Sequence, residues 1–400
     1  MSRALRRSAR TLPTLLLAIA AIAPSAAPAD ELLYVGEGNR LRVLDLGTDP
    51  AAPPPLPERV LIERASLDPI RGRDVNGMVC ALPDGSGRFV AGEDTGQPEV
   101  PGGWGIFERD GAQVAKLTAT SFASDYPEPY GCAFDPAGRL FTSEIGDKGF
   151  GHHNGQLILW LPPAEGFGSG EVAYCKLAVD LGTPGGVAVD AMGRVYVAAS
   201  SGLEILRFSP PFPSAPTARG GCGARDASGA PLASPLQREV FATAHWRAGL
   251  VTYSGLALSP HGTLYAASVA TGRIGEFDLE GRLLRLVLVP GEWLPPYRTG
   301  TPQGLAVDSV GRLYYADLDL QWTSWTLRPG EDGKVWRIPI DENGEPGAPE
   351  LLRAGLAFPD GLGVLPGRLA DLPPSREASG NAEGGSPPGS SEPASPGPAP

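Results

Sequence analysis

One short pattern recurs through this chain and limits its fold more than any other feature. "PQGLAVDSVGRLYYAD", Pro302 to Asp317, has an apolar segment opened by a glycine, a turn ending in Gly311, and a second apolar segment closed by an acid. The same arrangement surrounds Gly77 ("VNGMVCALPDGSGRFVAGED"), Gly131 ("PYGCAFDPAGRLFTSEIGD"), Gly186 ("PGGVAVDAMGRVYVAASSG") and Gly255 ("YSGLALSPHGTLYAASVATG"). A truncated copy, "PDGLGVLPG", surrounds Gly361. Successive glycines lie 54, 55, 69, 49 and 57 residues apart. A supersecondary unit of that length, repeated with insertions, predicts a closed or stacked repeat architecture.

Each unit reads as four antiparallel strands. "GLAVD" is a short apolar strand, Asp-x-x-Gly a tight turn, and "RLYYAD" its hairpin partner. Third strands follow ("NGQLILWLP", "RIGEFDLEG", "GKVWRIPID"), and fourth strands after them ("EVAYCKLAVD", "RLLRLVLV", "ELLRAGL"). Four strands per unit of about fifty residues is a propeller blade. The truncated copy at Gly361 lacks three strands. "LLYVGEGNRLRVLD" (Leu32 to Asp45) and "ERVLIE" (from Glu58) supply three strands with no first strand before them. The two ends therefore complete one blade, removing the exposed sheet edges of an open array. The fold class predicted is all-β, a six-bladed β-propeller over residues 30–372.

The flanking segments have a different character. Residues 1–29 carry four arginines, a short apolar run ("LLLAIAAIA") and a small-residue site before Asp30. That is the layout of a secretory signal peptide, too short to span a bilayer. Residues 373–400 contain no apolar side chain larger than proline and read as a disordered Pro/Gly/Ser-rich tail. Removing the four arginines leaves 29 basic against 45 acidic residues, a balance of −16. Nucleic acid and anionic membrane surfaces are poor partners for such a chain, and no membrane span is expected. An exported protein, periplasmic or secreted, keeps disulfides. Cys175 sits in a fourth strand and Cys222 in a long insertion of the next blade, so a bridge would pin that insertion. Cys80 and Cys132 lie on first strands of adjacent blades and could bridge or stay as small apolar groups.

The Gly-apolar-Ala-apolar-Asp, Asp-x-x-Gly and apolar-Tyr-apolar-Ala-Asp segments resemble NHL-type repeats and the gluconolactonase/regucalcin-like six-bladed propellers, over the whole of residues 30–372. In gluconolactonase-like proteins the residue beside each first-strand glycine faces the central channel, and a few acids and amides there hold a divalent cation. The resemblance thus implies a possible calcium, magnesium, manganese or zinc site at Asp360, Asn76 and Asp74, with Gln303 as a substitute. Such an ion would polarise a lactone or ester carbonyl. The six pre-glycine residues are Asn76, Tyr130, Gly185, Ser254, Gln303 and Asp360. Only Asn76 and Asp360 are of the family's ligand types.

Loops that enter first strands, or join second to third strands, share one rim and are long; the Asp-x-x-Gly turns on the other are short. Ligands favour concave, loop-built mouths. Tyr130, Trp293, Gln303, Trp322 and Trp325 fall on the long-loop rim and form the candidate ligand-binding surface. Trp322 and Trp325 suit either stacking on a ligand or plugging the channel. Other features read as structural. Asp135, Asp190 and Asp308 close turns, Glu93, Glu144 and Asp317 end second strands, and His152-His153 has no third ligand at zinc spacing. Three functions stay open: a module binding a small or carbohydrate-like ligand or a protein, a metal-dependent lactone or ester hydrolase, and a quinone-dependent sugar dehydrogenase. The last would need a basic quinone pocket, whereas this rim is acidic.

Overall fold

The computed structural model describes residues 30–47, 54–63, 77–93, 103–117, 129–145, 155–162, 166–168, 172–200, 203–213, 236–243, 253–323, 326–328 and 330–372. These hold twenty-six strands. Residues 1–29 and 373–400, read above as a signal segment and a tail, lie outside them. In chain order come β1 (Glu31–Glu37), β2 (Arg40–Asp45) and β3 (Glu58–Glu63), then blade one: β4 (Val79–Ala81), β5 (Phe89–Glu93), β6 (Gly103–Phe107) and β7 (Gln113–Leu117). Blade two is β8 (Pro129–Phe134), β9 (Leu140–Glu144), β10 (Gln156–Leu161) and β11 (Ala173–Ala178). Blade three is β12 (Pro184–Val189), β13 (Val195–Ala199), β14 (Glu204–Ser209) and β15 (Gln237–Thr243). Blade four is β16 (Leu256–Leu258), β17 (Leu264–Ser268), β18 (Arg273–Phe277) and β19 (Leu283–Leu288). Blade five is β20 (Pro302–Val307), β21 (Leu313–Asp317), β24 (Gly333–Ile338) and β25 (Glu350–Leu356), interrupted by a hairpin of β22 (Gln321–Thr323) and β23 (Thr326–Arg328). The last strand, β26 (Pro359–Pro366), joins the first three in the order β26-β1-β2-β3.

The architecture is therefore a six-bladed propeller closed by both chain ends, as the repeat register predicts. Leu32 pairs with Leu365 and Gly36 with Gly361. Both faces of most blades are covered by neighbours, so the second strands are buried throughout: "FVAGE", "LFTSE", "VYVAA", "LYAAS" and "LYYAD" carry no exposed residue. Apolar clusters fill the seams between blades, as with Phe141, Leu159, Cys175 and Leu177 of blade two against Val187, Val195 and Phe208 of blade three.

The turn aspartates act as the sequence suggests. Asp135 Oδ1 accepts hydrogen bonds from the Ala137 and Arg139 amides at 3.0 and 2.9 Å, and its Oδ2 accepts from Arg139 Nε at 2.7 Å. Asp190 and Asp308 repeat the arrangement and also accept from the Tyr196 and Tyr314 hydroxyls. Each turn ends at a glycine with positive φ, such as Gly311 at 91°, a conformation that side chains resist.

Around the axis neighbouring first strands come within backbone contact of one another. A Cβ placed on Gly185 would lie 2.2 Å from the Ser254 carbonyl oxygen, on Gly255 2.2 Å from that of Gln303, and on Gly304 2.3 Å from that of Asp360. Hydrogen bonds cross between blades at this level, from Met78 N to Tyr130 O (2.9 Å) and from Gly186 N to Ser254 O (2.5 Å). Ser143 Oγ accepts from Gly131 N and donates to Gly185 O, stitching blade two to blade three. The result is a backbone collar, possible only because glycine recurs at each crossing.

Cys80 and Cys132 form a disulfide between the first strands of blades one and two. Cys175 is also not free, and Cys222 lies outside the described residues. The blade-five segment read from sequence as a loop contains the β22–β23 hairpin, with Trp322 opposite Leu327. Its three-residue strands are too short to leave a periodic trace in sequence.

Candidate functional site

The pre-glycine residues sit where the first strands leave regular pairing. Register shifts fall between Pro129 and Cys132 in β8, between Pro302 and Leu305 in β20, and opposite Gly36 and Glu37 in β26. Each shift contains one pre-glycine residue: Tyr130, Gln303 and Asp360. A bulge turns its side chain away from the ladder. Blades two and five stand opposite each other in a ring of six, yet the Tyr130 hydroxyl comes up to the Gln303 carboxamide and into the field of Asp360.

All three are sheltered. Tyr130 and Asp360 are buried and Gln303 is half-buried. Burial first, and the Asp360 charge second, push the Tyr130 phenol well above its ordinary value, while Gln303 acts in the opposite direction. The Gln303 contact falls short of the geometry of a formed hydrogen bond, leaving a buried hydroxyl with donor and acceptor capacity to offer. A neutral phenol, a carboxamide and a carboxylate together present both donors and acceptors to a hydroxyl- or carbonyl-bearing molecule.

The other candidates are placed differently. Trp293 stands on the loop before blade five, 90% exposed, beside the exposed Leu294. Trp322 lies on β22; its side chain, and all of Trp325, Asp74 and Asn76, lie outside the described residues. Glu93, Glu144 and Asp317 are consumed by structure. Glu144 accepts from the Trp104 indole at 2.9 Å, Glu93 from Gln113, and Asp317 from the Thr301 amide at 2.7 Å and the Asp319 amide at 2.9 Å. Gly300 lies so close that a Cβ would meet the Asp317 carboxylate at 2.2 Å, wrapping the blade-five loop onto that acid. Sequence reasoning did not single out Ser143 and Ser200, whose hydroxyls tie blade two to three and blade three to four. Only their place at the end of a second strand hinted at it.

No family model matches the sequence, and no curated protein does. Solved structures do resemble it. A protein of the nidogen/laminin complex is 12% identical, covering 84% of this chain and 98% of that one, with a TM-score of 0.51. The likeness is one of fold. A calcium-binding regucalcin from Agrobacterium tumefaciens is 16% identical over 70% of this chain and 75% of its own, with a TM-score of 0.45. Virginiamycin B lyase from Staphylococcus aureus is 13% identical over 81% of each chain, with a TM-score of 0.46. These likenesses concern fold, and a fold hosts many unrelated functions.

Proposed function

We propose that this chain is an exported binding propeller whose long-loop rim recognises a small, uncharged, hydroxyl-bearing ligand over Tyr130, Gln303 and Asp360. The observation that supports this reading is that Tyr130, Gln303 and Asp360 of three different blades lie at pre-glycine bulges, with Tyr130 within reach of the Gln303 carboxamide and the Asp360 charge. Their mixture of donors and acceptors suits a sugar or sugar lactone, and the exposed Trp293 indole offers a face on which a ring can stack. The acidic balance of the chain disfavours anionic ligands. The Cys80–Cys132 disulfide is compatible with export, since such bonds persist in oxidising compartments. No helix among the described residues is long and apolar enough to cross a membrane.

The resemblance to regucalcin-like propellers raises the question of a divalent cation. Asp360 brings one carboxylate and Gln303 one neutral carbonyl, whereas a hard cation such as calcium takes six to eight oxygens. Among the described residues no group of three or more His, Cys, Asp or Glu could hold a metal ion. Asn76 and Asp74, the other ligands the resemblance implies, lie outside the described residues, so the proposed recognition rests on hydrogen bonding by Tyr130, Gln303 and Asp360.

Calorimetry of the secreted protein decides between the readings. Heat is expected from one or more neutral sugars or lactones, and it disappears in Asp360→Asn and Tyr130→Phe. Calcium, magnesium, manganese and zinc are expected to give none. Cation-dependent turnover of a lactone, abolished by Asp360→Ala, would replace the binding reading with the hydrolase one. An intact mass starting at Asp30 tests export.

A further inference from the structure

Counting back from the repeat glycines brings out one departure from the pattern. Three positions before them stand Asp74, Glu128, Thr183, Thr252, Thr301 and Phe358. Five are acids or threonines, and the closing blade alone has an aromatic ring. In blade five this position is held down, because the Asp317 carboxylate accepts from the Thr301 amide at 2.7 Å and from its hydroxyl at 3.1 Å. In the closing blade the acid at the same place, Glu37, turns to Arg42 instead, at 2.8 and 2.7 Å. The backbone departs as well. Only Ala357 and Phe358 join the outermost strand β25 to the innermost strand β26, against thirteen residues between β19 and β20. Both ends of the link are fixed. Leu356 pairs with Gly333 and Pro359 with Glu37, and a Cβ on Gly333 would meet the Pro359 ring at 2.3 Å. Phe358 closes the link with a φ of 52°, in the left-handed region that a bulky side chain resists.

We propose that Phe358 is the specificity residue of the rim site, and that the ligand is a ring, a cyclic sugar or sugar lactone whose apolar face lies on this phenyl group. The inference rests on the binding function proposed above. Glycine is the default wherever a turn needs a positive φ, so the backbone gives no reason for phenylalanine here. Core packing gives little, because the residue is only half-buried. Strain of this kind concentrates at ligand clamps and similar sites. One residue separates Phe358 from Asp360, the buried carboxylate of the rim cluster. A pyranose carries hydroxyls around its edge and C–H groups on its face. The edge suits Asp360, Gln303 and Tyr130, and the face suits an aromatic ring. An acyclic polyol has similar hydroxyls but no flat apolar face. Phe358 therefore separates two kinds of ligand that hydrogen bonding alone would treat alike.

The test is calorimetry on the full-length protein, with glucose, galactose and glucono-1,5-lactone set against sorbitol and galactitol. One or more of the rings should bind about tenfold more tightly than the acyclic polyols. Phe358→Leu should remove that preference, weakening the rings about tenfold and leaving the polyols unchanged, while Phe358→Tyr keeps it. Phe358→Gly and Phe358→Ala both lose the phenyl group and the preference. The glycine variant should nonetheless melt a few degrees above the alanine one, since only glycine adopts a positive φ freely. Rings that bind the native protein and Phe358→Leu equally would overturn this inference, and would leave the rim reading standing if Tyr130→Phe still abolishes binding. If no neutral sugar or lactone binds the native protein, both fall. A glycine variant melting no higher than the alanine one would show an unstrained turn and would also overturn the proposal.

Discussion

Tyr130 combines a buried ring with a hydroxyl that makes no formed hydrogen bond among the described residues. Removing that hydroxyl alone deletes a desolvated polar group rather than a made bond. Tyr130→Phe should therefore leave stability unchanged or raise it by up to about 1 kcal/mol in urea unfolding, while abolishing ligand binding at the rim. A purely structural tyrosine would show the reverse. Lys176, on the outermost strand of blade two, is a different case. Burial lowers its amine from 10.5 to about 8. The folded state thus binds this proton less tightly than the unfolded one. Its effect on stability improves as pH rises from about 8 to 10.5 and is least favourable below 8. Lys176→Met should stabilise the protein at pH 7, and its advantage over the native chain should shrink as thermal melts are taken toward pH 10.5.

At the scale of the element, the collar governs both stability and site. Gly304 has no unusual φ to protect; its constraint is the Asp360 carbonyl, 2.3 Å from where a Cβ would stand. Gly304→Ala should cost about 1–3 kcal/mol in guanidinium unfolding and displace Asp360, weakening rim binding more than stability alone explains. The strands, turns and closing blade were legible in sequence because they depend on local chemistry: apolar alternation, Asp-x-x-Gly, and a missing strand count at each end. The pre-glycine positions were legible as a set, but not the meeting of Tyr130 with Gln303. That contact depends on bulges and on the width of the ring, which no local pattern encodes. Conversely, Glu93, Glu144 and Asp317 were rightly read as structural, because an acid ending a buried strand finds loop amides and indoles within reach.

For the whole molecule, the disulfide is a brace rather than a closure. The ring is already shut by β26 beside β1, and Cys80–Cys132 clips two neighbouring blades across a sequence separation of 52. In the chain-entropy account a loop of that size is worth about 4 kcal/mol. Cys80→Ala/Cys132→Ala, which leaves Cys175 untouched, should lower the thermal midpoint without changing the far-ultraviolet spectrum of the folded state. A variant that is unfolded outright at room temperature would show the brace to be essential.

The closing blade also sets an order in time. Glu31 to Glu37 needs partners on both sides, and one of them, Pro359 to Pro366, is made more than three hundred residues later. During synthesis, the earliest strand waits with an open edge until nearly the last described residue arrives. A chain cut short anywhere before Pro359 can never close it. Its bare edge is left to pair with other incomplete copies. The fold thereby ties closure of its first strand to the arrival of its last, so the length of the chain and the integrity of the ring are set by the same pairing.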